Sequence, residues 1–459
     1  MKRKKWLALG LTAALVMSPV TGVYAQESDD SYETVESGDY DSNKKSDAKD
    51  EVAVQAAENS NIAASGEGIT GETGKNTTVT GNVTTTGEAV DGVTADGKNT
   101  TVTVKGNVTV SGTGSAGVSA DNNATVEVTG NVQAKGDNQT HEGQTGGTYI
   151  DKWADGVQAD NGSKVTVNGN VTSEKGRAID SHGSEVTVNG NVHSEEESAI
   201  NARDGSTVTI DGSVSSNVGI SLGGIIETTD STIKITKDVK AKNAWGILAG
   251  PGTDIEVGGN VSSEKEAVYI SGKDALIVVD GNVYSTKGCA MDILGQAEAT
   301  VKGDVTGNKL AAWLDNRSKL QALGKISSND VGILLSLYDA QGTGEFDLGT
   351  IDAQTAISIN YGDYKNIEDI IAALPEMTVY KMNADTLLRL YTGSEGLGLK
   401  EESDLAEKIL MEKLQYAIRK QDTSNGKINI AGELTKAKEG QTLTFSVIAN
   451  DGYEVDSVS

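Results

Sequence analysis

Short runs of valine alternate with polar residues along most of this chain. In GSEVTVNGNVHSEEESAI, residues 183–200, Val186 and Val188 flank Thr187, Val192 follows a Gly-Asn corner, and Ala199 with Ile200 opens a third run. The stretch just upstream, GSKVTVNGNVTSEKGRAI at 162–179, repeats the pattern with small changes. Alternation over a few residues predicts strands with one buried face, and helical spacing is absent here. The Gly-Asn-Val step, or a degenerate version, ends at Val83, Val108, Val132, Val171, Val192, Val214, Val239, Val261, Val283, Val305, Ile326 and Ile351. Those positions lie 21 to 25 residues apart, except for one gap of 39 that holds DNQTHEGQTGGTYIDKW. About a dozen units of three short strands each are therefore expected to stack, every strand pairing with its equivalent one coil away at roughly 4.8 Å. A single coil buries too little to offset its ordering entropy, so cohesion has to come from neighbours along the axis. At the corner, glycine is expected for positive φ, and asparagine for left-handed geometry or for bonding to the backbone or to the asparagine stacked on it.

The pattern also divides the chain. Residues 1–25 join a cationic run, Lys2 to Lys5, to an apolar stretch and a small-residue cleavage site, which reads as a signal peptide. Residues 26–65 are rich in Asp, Glu, Ser and Lys and read as a disordered acidic linker. The repeats occupy 66–360. In 361–422, NIEDIIAAL and ESDLAEKILMEKLQYAIRK place Leu405, Ile409, Leu410, Leu414 and Ile418 at helical spacing, with Ser403 as N-cap. This predicts a helical cap or spacer that covers the last coil's open edge. The stretch 423–459 alternates again as a partial β-module.

The period and pattern of residues 66–360 resemble the right-handed parallel β-helices of bacterial secreted and surface proteins, the pectin-lyase-like class. AKEGQTLTFSVIANDGYEVDSVS is similar to the internalin-type B-repeat-like modules of Gram-positive surface proteins, where EG-x-T-L-T opens a strand and DGYE turns into the next. Together these resemblances imply a mainly β, right-handed parallel β-helix solenoid with a C-terminal helical cap and a small β-module. They also imply a secreted protein displayed at the cell wall through a region beyond Ser459.

Charge narrows the partners. The chain carries 39 basic against 66 acidic residues, a net of −27, and loss of the wholly basic leader charges deepens it. Such a surface disfavours nucleic acid, anionic lipid and anionic polymers, and leaves neutral glycans and host or cell-surface proteins as the easier partners. No window is apolar enough for membrane insertion, and a monomer without cofactor is expected. Cys289 is the single cysteine, so no internal disulfide forms, and its thiol reads as a packed side chain.

An enzyme on such a solenoid needs a Lys or Arg base with calcium-binding carboxylates, or grouped acids, on neighbouring coils. The outward column of the third strand reads Gln158, Asp180, Asn201, Ser221, Leu248, Tyr269, Asp292, Trp313 and Leu334, and three residues earlier come Asp155, Arg177, Ser198, Trp245, Glu266, Cys289 and Leu310. No catalytic residue or metal ligand is assigned from these columns, and Arg177, Asp180, Arg203 and Asp204 read as solvated faces. Trp245, Tyr269 and Trp313, with Leu248 and Leu334, form an aromatic strip in a chain with only 4% aromatics. Such a strip either stacks on sugars or lies under the C-terminal helices or the 137–154 loop. The leading reading is a non-catalytic, adhesin-like stalk or glycan-binding module. Alternatives are a polysaccharide lyase or glycoside hydrolase, and a purely structural spacer.

Overall fold

The computed structural model describes residues 62–64, 68–142, 148–217, 224–362, 364, 366–391, 399–420 and 425–454. Two compact units divide the chain, 1–53 and 54–459, and all described residues belong to the second. The expected signal peptide and nearly all of the acidic linker lie outside the described residues.

The second unit is a parallel β-solenoid, as the repeat predicts. A 14-stranded sheet takes one strand from each coil, and a 26-stranded sheet carries the other two. We call these the first, second and third faces, in chain order from each coil's alternating valine run; the third face is the 14-stranded sheet. In one coil they are Glu185–Val188, Val192–Ser194 and Ile200–Arg203. Register follows the sequence repeat: Val165 pairs with Val186, Val171 with Val192 and Ile179 with Ile200. The inward valines, isoleucines and alanines fuse into one core along the axis. The 39-residue gap is spanned by the pairing of Val132 with Val171, and the excess chain forms an antiparallel hairpin, Gln139–Glu142 with Thr148–Lys152.

The Gly-Asn corner works differently from the expectation. Gly81 has a φ of 114°, but Gly106, Gly130, Gly169, Gly190 and Gly212 do not have positive φ; left-handed residues gather instead at the corner after the third face, at Asn161, Asp204 and Asp274. What excludes a side chain at the Gly-Asn corner is the coil beneath, since a Cβ on Gly190 would lie 2.5 Å from the Gly169 carbonyl oxygen and one on Gly212 would lie 2.2 Å from that of Gly190. The asparagines do form a ladder, mainly onto backbone. At some rungs they also bond the stacked asparagine, since Asn107 Nδ2–H donates to Asn82 Oδ1 and Asn170 Nδ2–H to Asn131 Oδ1, each at 3.2 Å. Asn107 Oδ1 accepts the Asn131 N–H at 2.8 Å, Asn131 Oδ1 that of Asn170 at 2.8 Å, and Asn170 Oδ1 that of Asn191 at 2.7 Å. Each bond satisfies a corner amide that the strand ladder leaves out. Lys237 replaces the glycine once, and its N–H still reaches the Gly212 carbonyl at 3.2 Å. A branched side chain at Gly190 should thus strain two coils: Gly190→Val is expected to destabilise by about 1–3 kcal/mol, read as a lower denaturation midpoint with unchanged far-ultraviolet circular dichroism.

A second ladder escaped the sequence reading. The serines that close the second face point inward, where Ser173 Oγ donates to the Ala154 carbonyl at 2.8 Å and accepts the Gly176 N–H at 2.9 Å. Ser194 does the same with Gly176 and Glu197. They carry the chain round the corner into the third face without leaving buried donors unmet.

The ladder extends past both limits drawn from the sequence. Strand Ile62–Ala64 pairs with Val83–Thr85. After residue 360, Glu376–Asn383 and Thr386–Tyr391 continue the coils on Glu345–Asp352 and Thr355–Asn360. Two helices sit among these coils: α1, Ile367–Ala373, capped by Asn366, and α2, Leu399–Glu412. Leu405 and Ile409 of α2 are buried, as an amphipathic cover requires. Ser403, however, is inside α2 and is not its cap, and Leu414 belongs to a strand, Leu414–Ala417, that pairs with Met377–Val379. Helical spacing carried on past the helix because the next buried position of the ladder falls in phase with it. In the final stretch, Gly426–Ile430 and Phe445–Ala449 form a two-stranded antiparallel sheet. No helix among the described residues is long and apolar enough to cross a membrane.

Candidate ligand-binding groove on the third face

On a solenoid strand, the residue between two core positions faces away from the axis. On the third face the register places Gln158, Asp180, Asn201, Glu227, Leu248, Tyr269, Asp292, Trp313 and Leu334 in one such column. The sequence column is reproduced except at one coil. Ser221 lies outside the described residues, and Glu227 holds that place, because this coil spends extra residues before its third strand. Outward side chains of the first face range from exposed, at Glu127, Lys234 and Glu256, to half-buried, at Thr166, Thr187 and Thr209, whereas in this column Asp180, Asn201 and Asp292 are only 7–8% exposed and the remainder are half-buried. The outward column of this face is a partly enclosed strip.

Its first half is ionic. Arg177 Nη1 lies 2.6 Å from Asp180 Oδ2, and both side chains are nearly enclosed, at 13% and 9% exposure. The expectation that this pair forms a solvated face is therefore overturned for Arg177 and Asp180, whereas Arg203 and Asp204 are exposed. The hairpin supplies the lid: Trp153 follows its second strand, and its ring lies under the Arg177 guanidinium, 4.4 Å from centroid to carbon. Asp180 also accepts the Asn201 Nδ2–H at 2.7 Å and has His182 Nε2 at 3.2 Å. Asp155 Oδ1 accepts the Arg177 backbone N–H at 2.8 Å. Burial, only partly countered by Arg177, pushes the Asp155 carboxyl up to about 7. Burial likewise lifts Glu197 to about 7, with Glu227 adding repulsion, and it raises Glu227. Asp155 and Glu197 thus titrate near neutrality beside one arginine.

The second half is apolar. Trp245 and Tyr269 stack with centroids 5.3 Å apart at 19°. Trp313 is oriented by its Nε1–H, which donates to Ser336 Oγ at 2.9 Å. The structure brings Trp245, Tyr269 and Trp313 onto one face with Leu248 and Leu334, all half-buried. Of the elements considered as cover, α1 has Asn366 and Asp369 at its start lining a cavity with Ser336, while the other two pack chiefly elsewhere. Helix α2 contacts α1 and the strands Thr386–Tyr391 and Leu414–Ala417, and the hairpin is tied to early coils by Lys152 with Asp91 and by Asn138 with Lys175.

Within this half lies a residue whose surroundings the sequence did not reveal. Asp292 is raised to about 7, chiefly by burial, with Glu266 adding repulsion and a hydrogen bond from Cys289 opposing. Its Oδ1 is buried and has no hydrogen-bond partner, a defect that typically costs about 1–3 kcal/mol. The Cys289 thiol, pushed well up by its own burial, also lies 3.2 Å from the Met291 carbonyl. It is a poor nucleophile in that environment.

Among the described residues, no three His, Cys, Asp or Glu side chains are grouped to hold a metal ion. The arrangement offers half-exposed aromatic and aliphatic surface in line with carboxyls on successive coils. No family model, curated protein or solved structure matches the chain.

Proposed function

We propose that this protein is a secreted, cell-surface β-helix that binds neutral glycans along the third-face strip without catalysis. One observation carries the reading: the outward column of this face is partly enclosed and lines up Leu248, Tyr269, Asp292, Trp313 and Leu334 beside Trp245. Extended sugars present alternating apolar C–H faces and hydroxyls, which suits rings and carboxyls spaced by one coil. The acidic surface favours uncharged chains over anionic ones. Trp245→Ala and Trp313→Ala should each abolish retention on immobilised neutral polysaccharide while circular dichroism stays unchanged. Retention by both variants would reject the strip as the binding surface.

A second reading, glycoside hydrolysis or polysaccharide elimination, draws on Glu197 and Glu227. Both are half-exposed, Glu197 is lifted to about 7 and Glu227 is raised, in each case first by burial, which for Glu197 suits a general acid. Against it, Arg177 is engaged by Asp180 and Trp153 and Asp155 is almost wholly enclosed, which leaves no base free to reach a substrate from either. Neutral and acidic polysaccharides assayed for new reducing ends, or for unsaturated products with and without calcium, separate the two readings. Robust turnover would replace the first by the second.

A further inference from the structure

The carboxyls of the strip are not alike. Asp155 receives an amide N–H, and Asp180 is held by an arginine, an asparagine and a histidine. Asp292 has the Cys289 thiol as a neighbour, but its Oδ1 is enclosed and receives no donor. Nor is it turned toward the axis: Met291 and Ile293 on either side are the core residues, and Asp292 is in register with Tyr269 on one coil and Trp313 on the next. Ser163 Oγ and Thr228 Oγ1 also lack a partner but belong to buried residues outside the outward column. Native structures satisfy nearly all buried acceptors, so one left open on the outward side of the third face marks a place where a bound molecule supplies the donor.

We infer that Asp292 and Trp313 form a saccharide subsite, in which Asp292 Oδ1 accepts a hydrogen bond from a hydroxyl of a neutral pyranose whose C–H face rests against the Trp313 indole. This deepens the proposed glycan binding and rests on it. The chemistry fits a neutral hydroxyl better than a cation, because a hydroxyl both gives and accepts a hydrogen bond and so pairs with the carboxyl whether or not it is protonated. Asp292 and Trp313 are on successive coils, roughly 4.8 Å apart along the axis, about the reach from a ring's hydroxyl to its apolar face. Ser336 fixes the indole in place, which reduces the ordering loss on binding. Trp313 stays in place, and rotation of the half-buried Tyr269 on the other side opens the way to the carboxyl.

The test uses the full chain and three soluble probes, β-1,4-linked glucose, β-1,4-linked N-acetylglucosamine and α-mannose oligomers, with binding measured by titration calorimetry. The unaltered protein is expected to bind at least one probe, and Asp292→Leu to bind it at least tenfold more weakly while melting no lower than the unaltered protein, since the open acceptor is gone. Should the leucine variant not fold, Asp292→Val removes the same oxygen with a residue strands favour, and the same loss is expected. If Trp245→Ala weakens binding but neither Asp292 variant does, the glycan reading stands and the subsite is overturned. If the unaltered protein binds none of the probes, both fall.

Discussion

Lowering the pH from 8 to 5 should raise the melting temperature of this protein. Asp155, Glu197 and Asp292 are each lifted to about 7 in the folded state, first of all by burial, whereas unfolded carboxyls titrate near 4. Between those values the native state holds protons that the unfolded chain has released, so stability falls as pH rises through that window and levels off above it. A shift of three units corresponds to about 4 kcal/mol for a single group. For the enclosed pair Asp155 and Asp292 that figure sets the scale of the effect, and the half-exposed Glu197 adds less. Two other contributions need separating. The net charge of −27 relaxes in the same direction on acidification, but that part is screened by salt. Asp315 runs the other way: burial opposes its charge, yet the Gly295 amide, Ser318 and Arg317 outweigh it and lower the carboxyl. Its contribution disappears below pH 4, which places the maximum near pH 4–5. Melting measured from pH 4 to 8 at low and high salt is expected to keep most of its slope in salt, and Asp155→Asn with Asp292→Asn should flatten it. A high-salt profile that is level, or that climbs toward pH 8, would show that these acids are ionised in the folded protein.

The solenoid could be read from the sequence because its determinants are local and periodic. Val186, Val188, Val192 and Ile200 carry both parity and period, and parallel stacking converts equal spacing into register. The column of Trp245, Tyr269, Asp292 and Trp313 followed from the same counting. It failed at Ser221 because extra residues before strand Gly224–Thr228 shift the count and bring Glu227 into line. Depth was not readable at all. Alternation says which side of a sheet a residue occupies, not whether that side is partly enclosed, so Arg177 and Asp180 looked solvated and Asp292 looked ordinary. The glycine corner teaches the converse. Its recurrence was plain, but the reason is the carbonyl of the coil beneath, a contact between residues some two dozen positions apart that no local φ rule contains.

Placing a charge on the axis should have the largest effect of any single substitution, and a spatially limited one. Ile200 is fully buried and is stacked between Ile179 and Ile226. Ile200→Asp sets a carboxyl among aliphatic side chains with no donor in reach, at a cost of roughly 4 kcal/mol or more. Because coils in a solenoid couple mainly to their neighbours, the loss should not spread evenly. Amide exchange is expected to accelerate across the coils carrying Val157, Ile179, Ile200, Ile226 and Ile247, while strands such as Val283–Ser285 and Val331–Ser336 keep their protection. Arg203→Asp at the end of the same strand, where the side chain is exposed, should change stability by no more than about 0.5 kcal/mol. Equal effects of the two substitutions would mean that Ile200 does not face a shared axis. Loss of protection along the whole stack would mean instead that the coils unfold as one cooperative body, and the binding-strip variants would then have to be judged on global stability before any loss of affinity could be credited to the side chain removed.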